Sequence, residues 1–409
     1  MKRAAARTLW PDDVLDVPAL RAAGRRPVPF QEFVVKVHSR CNLACDYCYV
    51  YQAADRGWRA QPHVMSHGTA EHVCRRIAEH AERHALPSVR VILHGGEPLL
   101  AGAEFLGGLA RRLRTLLPVS TAAEVTIQTN GTLVDEAVLT MCHEQGLRLG
   151  VSLDGDAAVH DRHRRDAGGR GTHARTAAVL HRLARPEHRA VSAGILCTVD
   201  VTADPLATYA HLLSYRPPAI RFLLPLGNWT HRPPGRVPDA RVTPYADWLI
   251  PVFDQWYGSP APPVRLPLFE SMLDLLLGGA TSTESLGGGP SRLAVVDTDG
   301  TLALSDHLKT AADGADRTGH DVFSDPFDSL LDHPGVVARQ LGPEGLCAQC
   351  RGCPVRTVCG GGHYAHRYRA DSGYLHPSVY CPDLMDLIGY VSRVVRADLD
   401  RLRTRRGEH

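Results

Sequence analysis

Cys41, Cys45 and Cys48 stand as C-x3-C-x2-C within CNLACDYC. A [4Fe–4S] cluster has four irons, so three cysteine ligands leave one iron open to a non-protein ligand. Closed zinc sites take four protein ligands. The spacing therefore predicts a cluster that binds a small molecule at its free iron, with a buried or zinc-binding cysteine trio as the competing reading. Near the other end, CAQCRGCPVRTVCGGGH supplies Cys347, Cys350, Cys353 and Cys359, and Cys381 follows in SVYCPD. Five thiols in so short a segment predict a second metal centre. Zinc competes here too, because C-x2-C pairs build zinc ribbons, but zinc cannot accept an electron and an iron–sulfur cluster can.

An open iron suits S-adenosylmethionine (SAM), whose amino and carboxylate groups chelate it. A low-potential electron then cleaves the sulfonium C–S bond and releases a 5′-deoxyadenosyl radical. HGGEP offers Gly95 and Gly96 for close backbone approach and Glu97 as a carboxylate for the SAM ammonium. Gln128, Asn130, Ser152 and Asp154 bring amide, hydroxyl and carboxylate groups suited to ribose hydroxyls or the methionyl carboxylate, although Asn130-Gly131 and Asp154-Gly155 are also ordinary turn pairs. Arg164, in HDRHRRD, is a candidate to neutralise the SAM carboxylate, and Tyr47 joins the cofactor-binding set. Candidates for a proton-accepting base are Asp154, His363 and His366.

The elements that position these residues follow from periodicity. Runs rich in β-branched residues at 32–38, 89–93, 125–129, 149–153, 193–199 and 220–224 alternate with stretches such as TAEHVCRRIAEHAERHA, whose apolar residues recur at helical spacing. Such alternation predicts an α/β fold with parallel strands, here an incomplete, TIM-like (β/α)6 barrel. The motifs CNLACDYC, HGGEP, QTNG and SLDG each fall at a strand's C-terminal end, where parallel barrels gather their chemistry. The expected divisions are an N-terminal extension (1–29), the barrel (30–258), a bridging region with a hairpin around Asp299-Gly300 (259–345), and a cysteine-dense segment with a C-terminal helix (346–409). Cys74, Cys142 and Cys197 read as core.

A net charge of +2, with 22% charged residues, leaves no basic stripe for nucleic acid. No run is long enough to span a membrane, and MKRAAARTLWPDD lacks the apolar stretch of a secretory signal. Eleven cysteines without an export signal suggest a reducing, cytoplasmic setting.

Taken together, CNLACDYC, HGGEP, QTNG, SLDG and the late cysteines resemble the radical SAM/SPASM peptide maturases across nearly all of residues 30–390. In that family the last cluster follows C-x2-C-x5-C-x3-C and then a distant cysteine. The resemblance assigns Cys350, Cys353, Cys359 and Cys381 to a second [4Fe–4S] cluster, with His363 at the place of the fourth cysteine. The family's first auxiliary cluster needs that cysteine and others upstream, and this chain has none between 198 and 346, so one auxiliary cluster is expected. Cys347 is then an extra thiol: a spare, a substitute ligand or a structural residue.

GLCAQCRGCPVRTVCGGGHYAHRYR, HPSVYCPDL and the cysteine-free SLGGGPSRLAVVDTDGTLALSD look like the FxsB-type branch. That branch implies cyclophane formation: a C–C bond between an aromatic ring and the β-carbon of a nearby residue in a ribosomally made precursor peptide. An electron donor such as a flavodoxin or ferredoxin is the second expected partner. The alternatives are thioether formation, formylglycine formation or epimerisation, and, from another class, a non-catalytic zinc-binding peptide adaptor.

Overall fold

The computed structural model describes residues 15–237, 242–281 and 283–407. The segment MKRAAARTLWPDD, on which the reading of no secretory signal rests, lies outside the described residues. Six strands form where the periodicity places them: β1 (Glu32–His38), β2 (Ser88–Gly95), β3 (Ala122–Thr129), β4 (Arg148–Ser152), β5 (Ser192–Thr198) and β6 (Ile220–Leu223). Each pairs in parallel with the next. The fold is the expected partial (β/α)6 barrel.

Helices begin where a side-chain oxygen can satisfy the first free N–H groups. Ser66 Oγ accepts from the Thr69 N–H at 2.9 Å and starts the helix His67–Arg83. Asp135, Asp156 and Asp204 do the same for the helices at Glu136, Ala157 and Pro205. The apolar side of His67–Arg83 buries Val73, Cys74, Ile77 and Ala81, which pack with Phe33, Val35 and Val37 in one core. Cys74, Cys142 and Cys197 are fully buried core residues, as expected.

Among the described residues the sheet continues beyond β1. β7 (Leu293–Val296) pairs in parallel with β1, and β8 (Thr301–Ala303) and β9 (Arg317–Asp321) follow antiparallel. The strand order is β6-β5-β4-β3-β2-β1-β7-β8-β9. The expected hairpin turns at Gly300, whose φ of +93° suits glycine. Its strands extend the barrel sheet.

A buried ionic group locks this junction. Lys36 Nζ lies 3.1 Å from Asp306 and 3.3 Å from Asp297, and Lys309 Nζ lies 3.0 Å from Asp316 and 3.7 Å from Asp55. Burial works against the charge on Lys36, but Asp306 and Asp297 outweigh it and raise the group above an ordinary lysine. Two lysines and four aspartates thus join β1, the loop after the first cysteines and the hairpin. Removing one partner strands buried charge, so Lys309→Met is expected to destabilise the fold by about 3–5 kcal/mol. Chemical denaturation measures this, and an unchanged midpoint would contradict it.

His80, His84 and Asp328 form the one group of His, Cys, Asp and Glu side chains, among the described residues, whose ligand atoms all lie within 4.8 Å of one another. However, His80 Nε2 accepts the Phe30 N–H at 3.0 Å, so its Nδ1 carries the proton shared with Asp328 at 2.5 Å. The group is a hydrogen-bonded clamp. Farther on, the helix Cys381–Gly407 buries Leu387, Ile388 and Val391. No helix among the described residues is long and apolar enough to cross a membrane.

Candidate active site

The loop after β1 gathers Cys41, Cys45 and Cys48. The Cys48 N–H bonds the Cys45 carbonyl at 3.3 Å, and the Leu43 N–H bonds Cys41 Sγ at 3.4 Å. The Ala44 N–H reaches the Arg165 carbonyl at 2.7 Å, which pins the loop to the segment carrying Arg164. Burial pushes the Cys41 thiol up to about 12 and Cys45 to about 11, with the neighbouring cysteines adding to the shift at both. Three soft donors in one loop, each needing a cation to become a thiolate, fit a cluster with one open iron.

Gly95 and Gly96 are required by the chain itself. A β-carbon on Gly95 would strike the His38 carbonyl oxygen, and Gly95 has a φ of +145°; one on Gly96 would strike the Arg40 carbonyl oxygen and the Tyr51 hydroxyl. The close approach read from the sequence is real, and its partner is the backbone leading into Cys41. Glu97, only 1% exposed, accepts from Thr129 Oγ1 at 2.7 Å, the Asn130 N–H at 2.9 Å and the Leu99 N–H at 3.1 Å. Three of a carboxylate's roughly four acceptor positions are therefore used, leaving one for an ammonium donor. Burial raises Glu97 to about 7 against those donors.

Asn130 Nδ2 donates to Asn42 Oδ1 at 2.9 Å and lies 3.8 Å from Cys41 Sγ, so it orients the cysteine loop. Gln128 Nε2 donates to Ser152 Oγ at 3.1 Å across adjacent strand ends. Asp154 accepts from Tyr47 Oη, from Arg164 Nε at 2.7 Å and from the Thr198 N–H at 3.0 Å. Burial disfavours its charge, yet Arg164 and Tyr47 outweigh it and hold the carboxyl below its ordinary range. That corrects the base reading: an anion so held is a poor proton acceptor. Arg164 spends Nε on Asp154 and lies over the Tyr47 ring at 5.5 Å.

Periodicity and motifs did not single out His160 or Thr172, which hold this arrangement. His160 Nδ1 accepts the Asp154 N–H at 3.4 Å, its Nε2 meets Thr172 Oγ1 at 3.1 Å, and Thr172 donates to the Arg164 carbonyl at 2.8 Å. Burial pushes His160 down to about 4 and His366 down to about 3. Both would titrate near 6.5 when unfolded. Below pH 6.5 the unfolded chain therefore binds more protons than the folded one, and stability falls with pH. At pH 5 each contributes a loss on the order of 2 kcal/mol. Thermal melts from pH 7 to 5 should show a falling Tm; a flat profile would contradict this.

The second thiol set is one neighbourhood. Cys350 is raised to about 12 by burial and then by Cys347, and Cys381 to about 11 by burial and then by Cys359, Cys353 and Cys347. Cys347 thus stands among the other four. The chain bends round them at Gly360, Gly361 and Gly362, which have φ of +61°, +84° and +67°. Arg367 ties the three glycine carbonyls together at 2.8–3.0 Å. The three-glycine run was the signal for this turn; Arg367 carried none.

His363 is turned away from a ligand role. Its Nδ1 accepts the Ala365 N–H at 3.2 Å and its Nε2 meets His307 Nδ1 at 2.8 Å. With both nitrogens engaged it is also a poor base. His366 has a buried Nε2 without a hydrogen-bond partner, and its low value leaves it a weak base.

A family model described as the Radical SAM superfamily matches residues 35–213. The chain is 26% identical to the serine-type anaerobic sulfatase-maturating enzyme of Klebsiella aerogenes, over 90% of this chain and 89% of that protein. It is 23% identical to the cysteine-type anaerobic sulfatase-maturating enzyme of Clostridium perfringens (strain 13 / Type A), over 88% of this chain and 96% of that one. In structure it is similar to native anSMEcpe with bound AdoMet and Cp18Cys peptide, with a TM-score of 0.76 and 21% identity, covering 91% of this chain and 99% of that chain. The first three cysteines and the strand ends HGGEP, QTNG and SLDG all lie inside the matched segment. Residues 35–213, which carry the three-cysteine loop and these strand ends, are thus similar to the radical SAM superfamily.

Proposed function

We propose that this radical SAM protein is a peptide-modifying enzyme that removes two hydrogens from a ribosomally made precursor peptide and joins an aromatic ring to the β-carbon of a nearby residue. One observation carries the two-centre reading. Tyr49, next to Cys48, meets His307 edge-on at 5.5 Å, and His307 bonds His363 in the turn after Cys359. A substrate held beside this chain of rings lies between the two thiol sets.

A cluster on Cys41, Cys45 and Cys48 with SAM supplies a hydrogen-abstracting 5′-deoxyadenosyl radical, and a cluster on Cys350, Cys353, Cys359 and Cys381 supplies a one-electron acceptor. The chain's own residues position and enclose. Glu97 keeps an acceptor position for the SAM ammonium, while Asp154 and Arg164 brace each other beside Cys45. Primary radicals are unselective in solution, so selectivity comes from holding one carbon close and excluding water. A flavodoxin or ferredoxin is the proposed source of the initiating electron.

The cross-link reading is supported by the FxsB-like late cysteines and the cysteine-free hairpin. Oxidation of serine or cysteine to formylglycine is favoured instead by the serine-type and cysteine-type sulfatase-maturating relatives. Reduced protein, SAM and a candidate precursor peptide encoded beside the gene, analysed by tandem mass spectrometry, separate the two. A cross-link loses two hydrogens, suppresses fragmentation between the joined residues and does not react with hydroxylamine. An aldehyde from serine has the same mass loss and forms an oxime. A mass-neutral product would point to epimerisation and defeat both.

A further inference from the structure

We propose that His307 is a fixed hydrogen-bond donor to a carbonyl oxygen of the substrate peptide, with His363 as the positioning residue that sets its tautomer; this rests on the peptide-modifying reading above. A backbone amide N–H can only donate. The Ala365 N–H points at His363 Nδ1 at 3.2 Å, so that nitrogen is an acceptor and the proton of His363 sits on Nε2. Nε2 then donates to His307 Nδ1 at 2.8 Å. With its Nδ1 filled, neutral His307 carries its own proton on Nε2. Among the described residues nothing in the chain bonds that nitrogen.

His307 and His363 line a cleft of about 380 Å³. Its rim includes Gln31, Arg90, Glu124 and Arg292, so it reaches the N-terminal ends of β1 to β3. The histidine pair lies beside Tyr49 of the cysteine loop. A peptide reaching His307 through the cleft thus meets a donor packed on Tyr49, the residue after Cys48. Nearby charges do not make His307 a base. The groups facing the pair are Glu284, Arg339, Asp306, His366, His94 and Tyr49. Glu284 gives both oxygens to Arg339, at 2.7 Å and 2.5 Å, and Asp306 Oδ1 accepts from Lys36 while its Oδ2 has no hydrogen-bond partner. Burial keeps both rings of the pair neutral. A neutral donor at this point binds an amide oxygen without adding charge to the cavity.

The test measures Kd by fluorescence anisotropy and KM, using the precursor peptide encoded beside the gene. The proteins are the full-length wild type and the variants His307→Phe, His363→Leu and His363→Gln. His307→Phe keeps the ring and loses the donor, and is expected to raise Kd and KM about fivefold. His363→Leu removes the tautomer lock and should behave similarly, whereas the amide of His363→Gln can still donate to His307 and should restore binding. The pH profile of kcat between 6.5 and 8.5 should be the same in wild type and His363→Leu.

Equal Kd in wild type and His307→Phe would overturn the inference alone, as would a pH limb present in wild type and lost in His363→Leu, the mark of a base. A wild type that binds no peptide would overturn both this inference and the function proposed above. Should His307→Phe fail to fold, judged by its iron content, the contrast between His363→Leu and His363→Gln decides.

Discussion

Cys41→Ala is expected to reduce SAM cleavage to background and to remove about half of the roughly eight irons that two [4Fe–4S] clusters bring. The reason is local. Cys41 accepts the Leu43 N–H and stands beside Asn130, so it is built into the loop that also presents Cys45 and Cys48. Two remaining thiols cannot hold a cubane with one free iron, and a radical cannot form without that iron. Iron analysis and chromatographic detection of 5′-deoxyadenosine measure both effects. Undiminished SAM cleavage in this variant would place the reductive centre elsewhere.

Cys353→Ala should do the opposite. SAM cleavage to 5′-deoxyadenosine persists, uncoupled, while the peptide product falls to background. Cys353 lies with Cys359 and Cys381 in the second neighbourhood, on a segment separated in sequence from the first loop. Its loss leaves the first three cysteines untouched and removes an electron acceptor for the last oxidation step. Cys347 stands among these thiols but does not substitute for Cys353, so Cys347→Ala/Cys353→Ala should be as inactive as the single variant. Loss of SAM cleavage in Cys353→Ala, with iron retained at the first centre, would contradict the division of labour.

Much of the barrel was legible because its signal is local. β1 begins and ends at the residues where EFVVKVH does, and the caps at Ser66, Asp135 and Asp204 precede helices whose apolar spacing is plain. The cysteine loop was equally legible, since three thiols at that spacing need no tertiary context. What escaped depends on long-range pairing. The Lys36–Asp306 contact joins residues 270 apart, and the His307–His363 bond joins residues 56 apart. A polar residue in a strand or loop discloses no partner until the chain has folded.

The same limit explains the corrected roles. Asp154 reads as a free carboxylate at a strand end, and only folding brings Arg164 and Tyr47 onto it. His363 reads as a possible ligand because it stands where a cysteine would. Folding turns its ring toward His307 instead. Glu97 reads as a carboxylate for the SAM ammonium, and its three protein donors were not visible in GGEP.

The central claim is that a radical generated at Cys41, Cys45 and Cys48 takes a hydrogen from the β-carbon of a peptide held beside the second thiol set. Deuterium transfer tests it most directly. With a precursor peptide deuterated at the β-carbon of the modified residue, deuterium should appear in 5′-deoxyadenosine and be lost from the product. Peptide product formed with no deuterium in 5′-deoxyadenosine would contradict the account.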